Sequence, residues 1–161
     1  GRNDMTLVLC GMPKDFRDPA HGDRILRLIR DHGLSEQIRV LDYLPRADVM
    51  ALMRRAVGIV QPSRFEGWSA LVEEARTLGK LLIVSDLRVH REQRPPRARF
   101  FPCGDFEALA AALSELWEEG APGPDPEIEE RAGKEAMERG LSFGRRFIEV
   151  AREAIRVFKH R

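Results

Sequence analysis

The chain has 161 residues, 43% of them apolar and 33% charged, which suits one ordinary globular domain with its own core. Lys and Arg total 27 against 26 Asp and Glu, so the net charge is +1, and that balance excludes a global pull toward nucleic acid or anionic membrane. Most of the positive charge is Arg, Lys being confined to Lys14, Lys80, Lys134 and Lys159.

The two cysteines, Cys10 and Cys103, are far apart, and no Cys or His spacing matches a zinc site. Each closes or follows an apolar run, which predicts small buried thiols in a reducing compartment. No run is long enough to span a bilayer and no signal peptide is visible. A cytoplasmic location is therefore expected, with a peripheral place at the inner membrane face as its variant. The absence of an initiating Met and the early first strand read as a piece of a longer protein.

In chain order, Met5–Cys10 is a β-prone apolar run, followed by the turn G-M-P-K at Gly11–Lys14. Asp23–Asp31 carries Ile25, Leu26, Leu28 and Ile29 at helical spacing. Ile38–Tyr43 is a second strand, and Asp48–Arg55 a helix whose leading Asp can cap it. Val57–Gln61 is a third strand; Gly67–Leu78 is a helix stopped by Gly79. Leu81–Ser85 is a fourth strand. Arg88, Arg91, Arg94, Arg97 and Arg99, with Pro95 and Pro96, then form a basic loop. That loop reads either as a solvated face or as a contact for an anionic lipid-linked acceptor or membrane.

Arg99–Pro102 is a fifth strand, and Asp105–Trp117 a helix with Leu109, Ala112, Leu113 and Leu116 facing inward. Glu118–Pro126 is rich in Pro and Gly and reads as a loop. Ile128–Arg139 is highly charged. Phe143–Phe158 carries Phe143, Phe147, Val150, Ala151, Ala154 and Phe158 along one stripe, which predicts docking on its own domain. The expected organisation is a core over residues 1–120, a loop over 121–127, and C-terminal helices over 128–161 packed on the same domain.

Strand alternating with helix implies α/β architecture, a Rossmann-like doubly wound parallel sheet. Ligands of such sheets lie beyond the carboxyl ends of the strands. This singles out Gly11–Lys14, Tyr43–Pro45, Pro62–Ala70 and Asp86–Glu92. Within Asp86–Glu92, His90 has no Ser or Cys nucleophile pattern around it and reads as structural or substrate-adjacent.

The most informative stretch is Gln61–Gly79, Q-P-S-R-F-E-G-W-S-A-L-V-E-E-A-R-T-L-G. A helix starting near Gly67 leaves the amides of Gly67, Trp68, Ser69 and Ala70 as unpaired donors, which favour an anion such as a diphosphate. Gly67 lets the backbone approach a ligand closely. On that helix Leu71, Ala75 and Leu78 predict the core face, with Glu73 nearly opposite and solvated. Glu74, roughly 60° from Leu71, sits at the packed edge, where it needs donors such as ribose hydroxyls. Glu66 precedes the helix and can face a sugar.

Glu66 and Glu74 have the E-x(7)-E spacing of retaining GT-B glycosyltransferases, and the chain resembles the donor-binding half of the family 4, or group 1, type. The resemblance runs through L-V-L-C-G, R-V-L-D-Y-L-P-R-A-D, the block around Glu66 to Lys80, S-D-L-R-V-H-R-E-Q and F-F-P-C-G-D-F-E-A-L-A, covering about residues 5 to 117 in order. Trp68 replaces the usual Phe and Ser69 the second Gly.

That resemblance implies that Glu74 holds the ribose of a nucleotide and Glu66 contacts the sugar hydroxyls. It implies that Gly67, Trp68, Ser69 and Ala70 bind diphosphate and sugar, that Tyr43 and Leu44 frame the base, and that Gly11 lies on the turn after the first strand. The implied activity is transfer of a hexose from a UDP- or GDP-sugar to an acceptor hydroxyl with retention. No metal or other cofactor is expected. The implied partners are the donor, an acceptor-binding N-terminal domain of the same protein, and a saccharide or lipid-linked acceptor; nucleic acid is not among them. A non-catalytic sugar-nucleotide-binding domain and a sugar-nucleotide epimerase of the same fold are the competing readings.

Overall fold

A computed structural model describes residues 4–11 and 18–159. Residues 1–52 and 53–161 are two compact units, and strands pair within each. The alternating order anticipated from the sequence is present: parallel strands joined by helical crossovers, an α/β chain of Rossmann-like type.

In the first unit, β1 (Leu7–Cys10) and β2 (Ile38–Leu41) run parallel, with Leu7 opposite Ile38 and Cys10 opposite Leu41. The crossover is α1 (His21–Asp31), which buries Ile29. Asp18 and Arg24 form an ion pair at its start, and the guanidinium holds the Asp18 carboxyl below its usual range. α2 (Arg46–Arg55) begins two residues before Asp48, because the amides of Asp48 and Val49 both reach the carbonyl of Pro45. Asp48 is thus a first-turn acid facing the helix dipole, and not the cap that the sequence suggested.

The second unit holds a three-stranded parallel sheet in the order β3 (Gly58–Gln61), β4 (Leu81–Ser85), β5 (Ala98–Phe101). β4 lies in the middle, and its run Leu-Leu-Ile-Val needs cover on both faces. Leu82, Ile83 and Val84 are at most 1% exposed; each contributes about 1.5–3 kcal/mol by leaving water. α5 (Phe106–Glu119) supplies part of that cover: Ala112 and Leu116 pack with Ile83 and Phe101. Asp105 caps α5 by accepting from the Ala108 amide at 2.9 Å.

Between these strands run α3 (Ala70–Thr77) and α4 (Arg88–Gln93). α4 falls where the sequence suggested a basic loop. Arg97 and Arg99 of that stretch are tied down as well. Arg97 donates to the carbonyl of Gly79 at 2.7 Å, and Arg99 pairs with Glu115 at 3.2 Å and with Glu119.

After a turn over residues 120–125, α6 (Pro126–Lys159) is one helix of 34 residues, where the sequence suggested more than one. Its first turns dock: Ala132 is buried, Ile128 packs on Gly79, and Glu129 pairs with Arg54 at 2.8 Å. Its far half does not follow the expected docking. Phe143, Phe147, Val150 and Phe158 are 65–82% exposed. Both cysteines are also exposed, against the expectation of buried thiols, because Cys10 ends a strand and Cys103 lies in the turn after β5.

Candidate functional site

The second unit places the longest of the sequence-predicted segments at the carboxyl end of its sheet. β3 ends at Gln61, residues 62–69 turn away from the sheet, and α3 begins at Ala70. The start is later than the Gly67 start suggested by the sequence. Gly67 and Trp68 belong to the turn, and Ser69, with extended backbone (ψ 107°), is the N-cap. The Ser69 side chain makes no capping bond, so the first amides of α3 keep no side-chain partner from their cap.

This turn is open. A β-carbon built on Gly67 meets no atom within 4 Å, and Trp68 and Ala70 are exposed. Ser69, in contrast, is buried, held from below. Phe65 stands out on the same turn at 87% exposure; a fully solvated Phe beside an open backbone cradle was not singled out from the sequence, where it reads as one more apolar residue.

Glu66 is half-buried and held by two donors. Gln61 Nε2 lies 2.5 Å from its Oε1 and Ser63 Oγ 2.9 Å from the same oxygen. Gln61 Nε2 also reaches Ser69 Oγ at 3.4 Å. The carbonyl of Ser63 accepts from Ser85 Oγ at 2.5 Å, which ties the turn back to β4. Neither Gln61 nor Ser63 was singled out from the sequence. A polar residue closing a strand is common, and only the fold shows which acid it meets.

A second brace comes from α4. Gln93 is buried; its amide donates to the carbonyl of Ser69 at 2.9 Å and to Glu73 Oε1 at 3.1 Å. Arg76 of α3 in turn donates to the carbonyl of Gln93 at 2.6 Å. Burial pushes the Arg76 guanidinium below its usual range, with the like charge of Arg139 adding to that.

α3 is rotated relative to the expected face. Val72 and Ala75 are fully buried, whereas Leu71 and Leu78 are only half-buried. Glu73 and Glu74 then each lie roughly 130° from the middle of the packed face. Both are half-buried, and Glu73 is bound to Gln93, so it is not the solvated acid anticipated.

His90 is fully buried. Its Nδ1 donates to the carbonyl of Ser85 at 2.7 Å, and its Nε2 is buried without a partner among the described residues. Of the two readings left by the sequence, this placement fits the structural one. Asp86 pairs with Arg91, which holds its carboxyl below the usual range, and Arg91 lies over the Phe100 ring at 5.2 Å. Arg88, Arg91, Arg94 and Arg146 line an open basin with Asp86 and Glu92.

In the first unit, Gly11 and Tyr43 are exposed and Leu44 half-buried, each just beyond the carboxyl end of its strand. Met12, Pro13 and Lys14 of the first turn lie outside the described residues. Among the described residues no group of three or more His, Cys, Asp or Glu is arranged to hold a metal ion. No helix among them is long and apolar enough to cross a membrane.

No curated protein matches the chain. Among solved structures it is similar to HepE from Anabaena, crystallised in complex with UDP, at a TM-score of 0.76 and 19% identity over 92% of this chain and 41% of that one. It is similar also to sucrose-phosphate synthase from Thermosynechococcus elongatus, at a TM-score of 0.65 and 18% identity over 93% of this chain and 46% of that one. The chain therefore spans less than half the length of either, and the likeness is one of fold. The model of the family described as glycosyl transferases group 1 matches residues 1–139. With that match over most of its length, the chain belongs to the group 1 glycosyl transferases.

Proposed function

We propose that this chain is the donor-binding half of a retaining GT-B hexosyltransferase. The observation that carries the reading is the open turn after β3, where exposed backbone at Gly67 and the unencumbered amides at the start of α3 stand beside a held carboxylate, Glu66. Amides at a helix start attract a diphosphate and stabilise it as it departs, which is electrostatic catalysis by fixed dipoles.

Glu66 takes the role of contact for the donor sugar, and Gly67, Trp68, Ser69 and Ala70 that of the diphosphate cradle. Ser69 contributes its amide, its side chain being turned toward Gln61. Glu74 takes the ribose, and Tyr43, Leu44 and Gly11 the base side. The donor is a UDP- or GDP-linked hexose; the UDP bound by HepE makes UDP the first nucleotide to test. The reading assigns front-face attack by the acceptor hydroxyl, with no metal or other cofactor. The acceptor-binding domain is a further part of the same polypeptide. The arginine basin suits an acceptor that carries an anionic lipid-linked group.

The test is calorimetry of the chain with UDP, GDP, UDP-glucose and GDP-mannose, with Glu74→Ala alongside. Weak binding of at least one nucleotide, reduced about tenfold or more in the variant, is expected from loss of a charge-assisted hydrogen bond. Absence of binding, or equal binding by the variant, overturns the site.

A further inference from the structure

We propose that Gln61 is a positioning residue that fixes the rotamer of Glu66 and leaves it one free carboxylate oxygen to face the donor sugar; this deepens the donor-site reading and rests on it. A carboxylate oxygen has two lone pairs. Glu66 Oε1 already accepts from Gln61 Nε2 at 2.5 Å and from Ser63 Oγ at 2.9 Å, so it is filled. Oε2 accepts nothing from the described residues. Glu66 therefore cannot bridge two neighbouring hydroxyls with both oxygens while this arrangement stands.

Both donors are themselves pinned to the sheet. Gln61 is the last residue of β3 and lies opposite Val84 of β4. Ser63 is held through its carbonyl by Ser85 Oγ, and Ser85 is fully buried on β4. The carboxylate thus inherits the rigidity of the central strand, although it sits on a turn. Rigid support of this kind is what keeps a reacting group within tolerance of its productive geometry.

The Gln61 amide makes a second contact. Its two hydrogens point at Glu66 Oε1 and, more distantly at 3.4 Å, at Ser69 Oγ. The second contact is at the limit of a hydrogen bond, so the hold of Gln61 is on Glu66 and the amide cradle does not depend on it. The bland alternative is a strand-end Gln that merely satisfies itself. A solvent-facing amide would do that equally well; here the amide is directed at the one acid of the turn.

The proposal separates two affinities. Nucleotide alone depends on the cradle and Glu74; the increment contributed by the sugar depends on Glu66. Calorimetry of the chain with UDP and UDP-glucose (or GDP and GDP-mannose, whichever pair binds) is compared for wild type, Gln61→Leu, Gln61→Glu, Ser63→Ala and Ser63→Thr. Gln61→Leu is expected to weaken the sugar nucleotide roughly tenfold while the free nucleotide changes by less than about twofold. Gln61→Glu, which sets a carboxylate against Glu66, is expected to weaken it further. Ser63→Ala gives a smaller loss that Ser63→Thr restores, since Thr keeps the hydroxyl.

Equal weakening of nucleotide and sugar nucleotide in Gln61→Leu overturns the proposal, because it marks a merely structural role; so does no change in either. Binding of neither ligand by the wild type overturns the donor site and the sugar contact with it. The clamp itself is read without ligand by nuclear magnetic resonance: the Gln61 side-chain amide protons are expected to shift and exchange faster in Glu66→Gln. Unchanged Gln61 resonances in that variant overturn the clamp even where the nucleotide binds.

Discussion

Gly79 and Ile128 approach so closely that a β-carbon on Gly79 would lie 2.4 Å from Cγ2 of Ile128 and 3.2 Å from its carbonyl oxygen. Gly79 also has φ +64°, a conformation that other L-residues adopt at a cost. Strain and overlap act together at this position, where α3 ends and α6 docks. Gly79→Ala is expected to destabilise the chain by about 2–4 kcal/mol. Chemical denaturation checks it, and a midpoint within error of wild type would refute the tight approach.

Gly67→Ala provides the opposite case. Its β-carbon meets nothing within 4 Å and its φ is not positive. The variant is expected to unfold within about 0.5 kcal/mol of wild type, as ordinary exposed sites do. The methyl group would nonetheless stand in the space assigned to the diphosphate and sugar, so affinity for the sugar nucleotide is expected to fall about tenfold or more. Thermal unfolding and calorimetry on the same sample separate the two effects.

The contrast between these glycines shows what the sequence discloses. Gly79 after an amphipathic run reads directly as a helix stop, and it is one. The run at Leu81–Ser85 reads as a buried strand, and β4 has those bounds, because a central parallel strand needs apolar residues on both faces. α4 is not legible in the sequence because six residues rich in charge carry too little periodicity to mark a helix. α3 starts three residues after Gly67, since Gly67 and Trp68 are compatible with a helix in sequence and only Ser69's extended backbone decides otherwise. Glu66 and its spacing to Glu74 were legible as pattern. The support from Gln61, Ser63 and Gln93 was not, because those hydrogen bonds join strand ends, a turn and a neighbouring helix whose juxtaposition exists only in the fold.

Lys80 works at the other end of the sheet, just before β4 begins. It is 8% exposed and donates to the carbonyls of Ala56 and Gly123 at 2.7 Å each. Burial is the largest influence on it and pushes the ammonium below its ordinary value of 10.5, with Glu129 opposing that. Lys80→Met keeps the stem but strands two carbonyls, for an expected loss of about 1–3 kcal/mol. The sign of the pH effect follows from the depressed value. The folded chain releases this proton more readily than the unfolded one, so the Lys80 contribution to stability rises as pH climbs through the folded value toward 10.5. The Met variant should lack that rise in urea titrations across the alkaline range.

α6 divides into an anchored part and an exposed part, and substitutions should tell them apart. Ala132 is 8% exposed and lies 3.4 Å from the β-carbon position of Gly79. Ala132→Asp introduces a charge into that contact and is expected to cost about 2 kcal/mol or more, through overlap and desolvation together. Phe143 and Phe147 stack with ring centroids 6.3 Å apart, yet they are 72% and 65% exposed. Replacing both by Ser removes one exposed ring pair and little buried area, for an expected change within about 1 kcal/mol. Urea unfolding of the two variants ranks them: an equal or larger loss for the double Phe variant would mean that the far half of α6 is packed in this chain, contrary to its exposure.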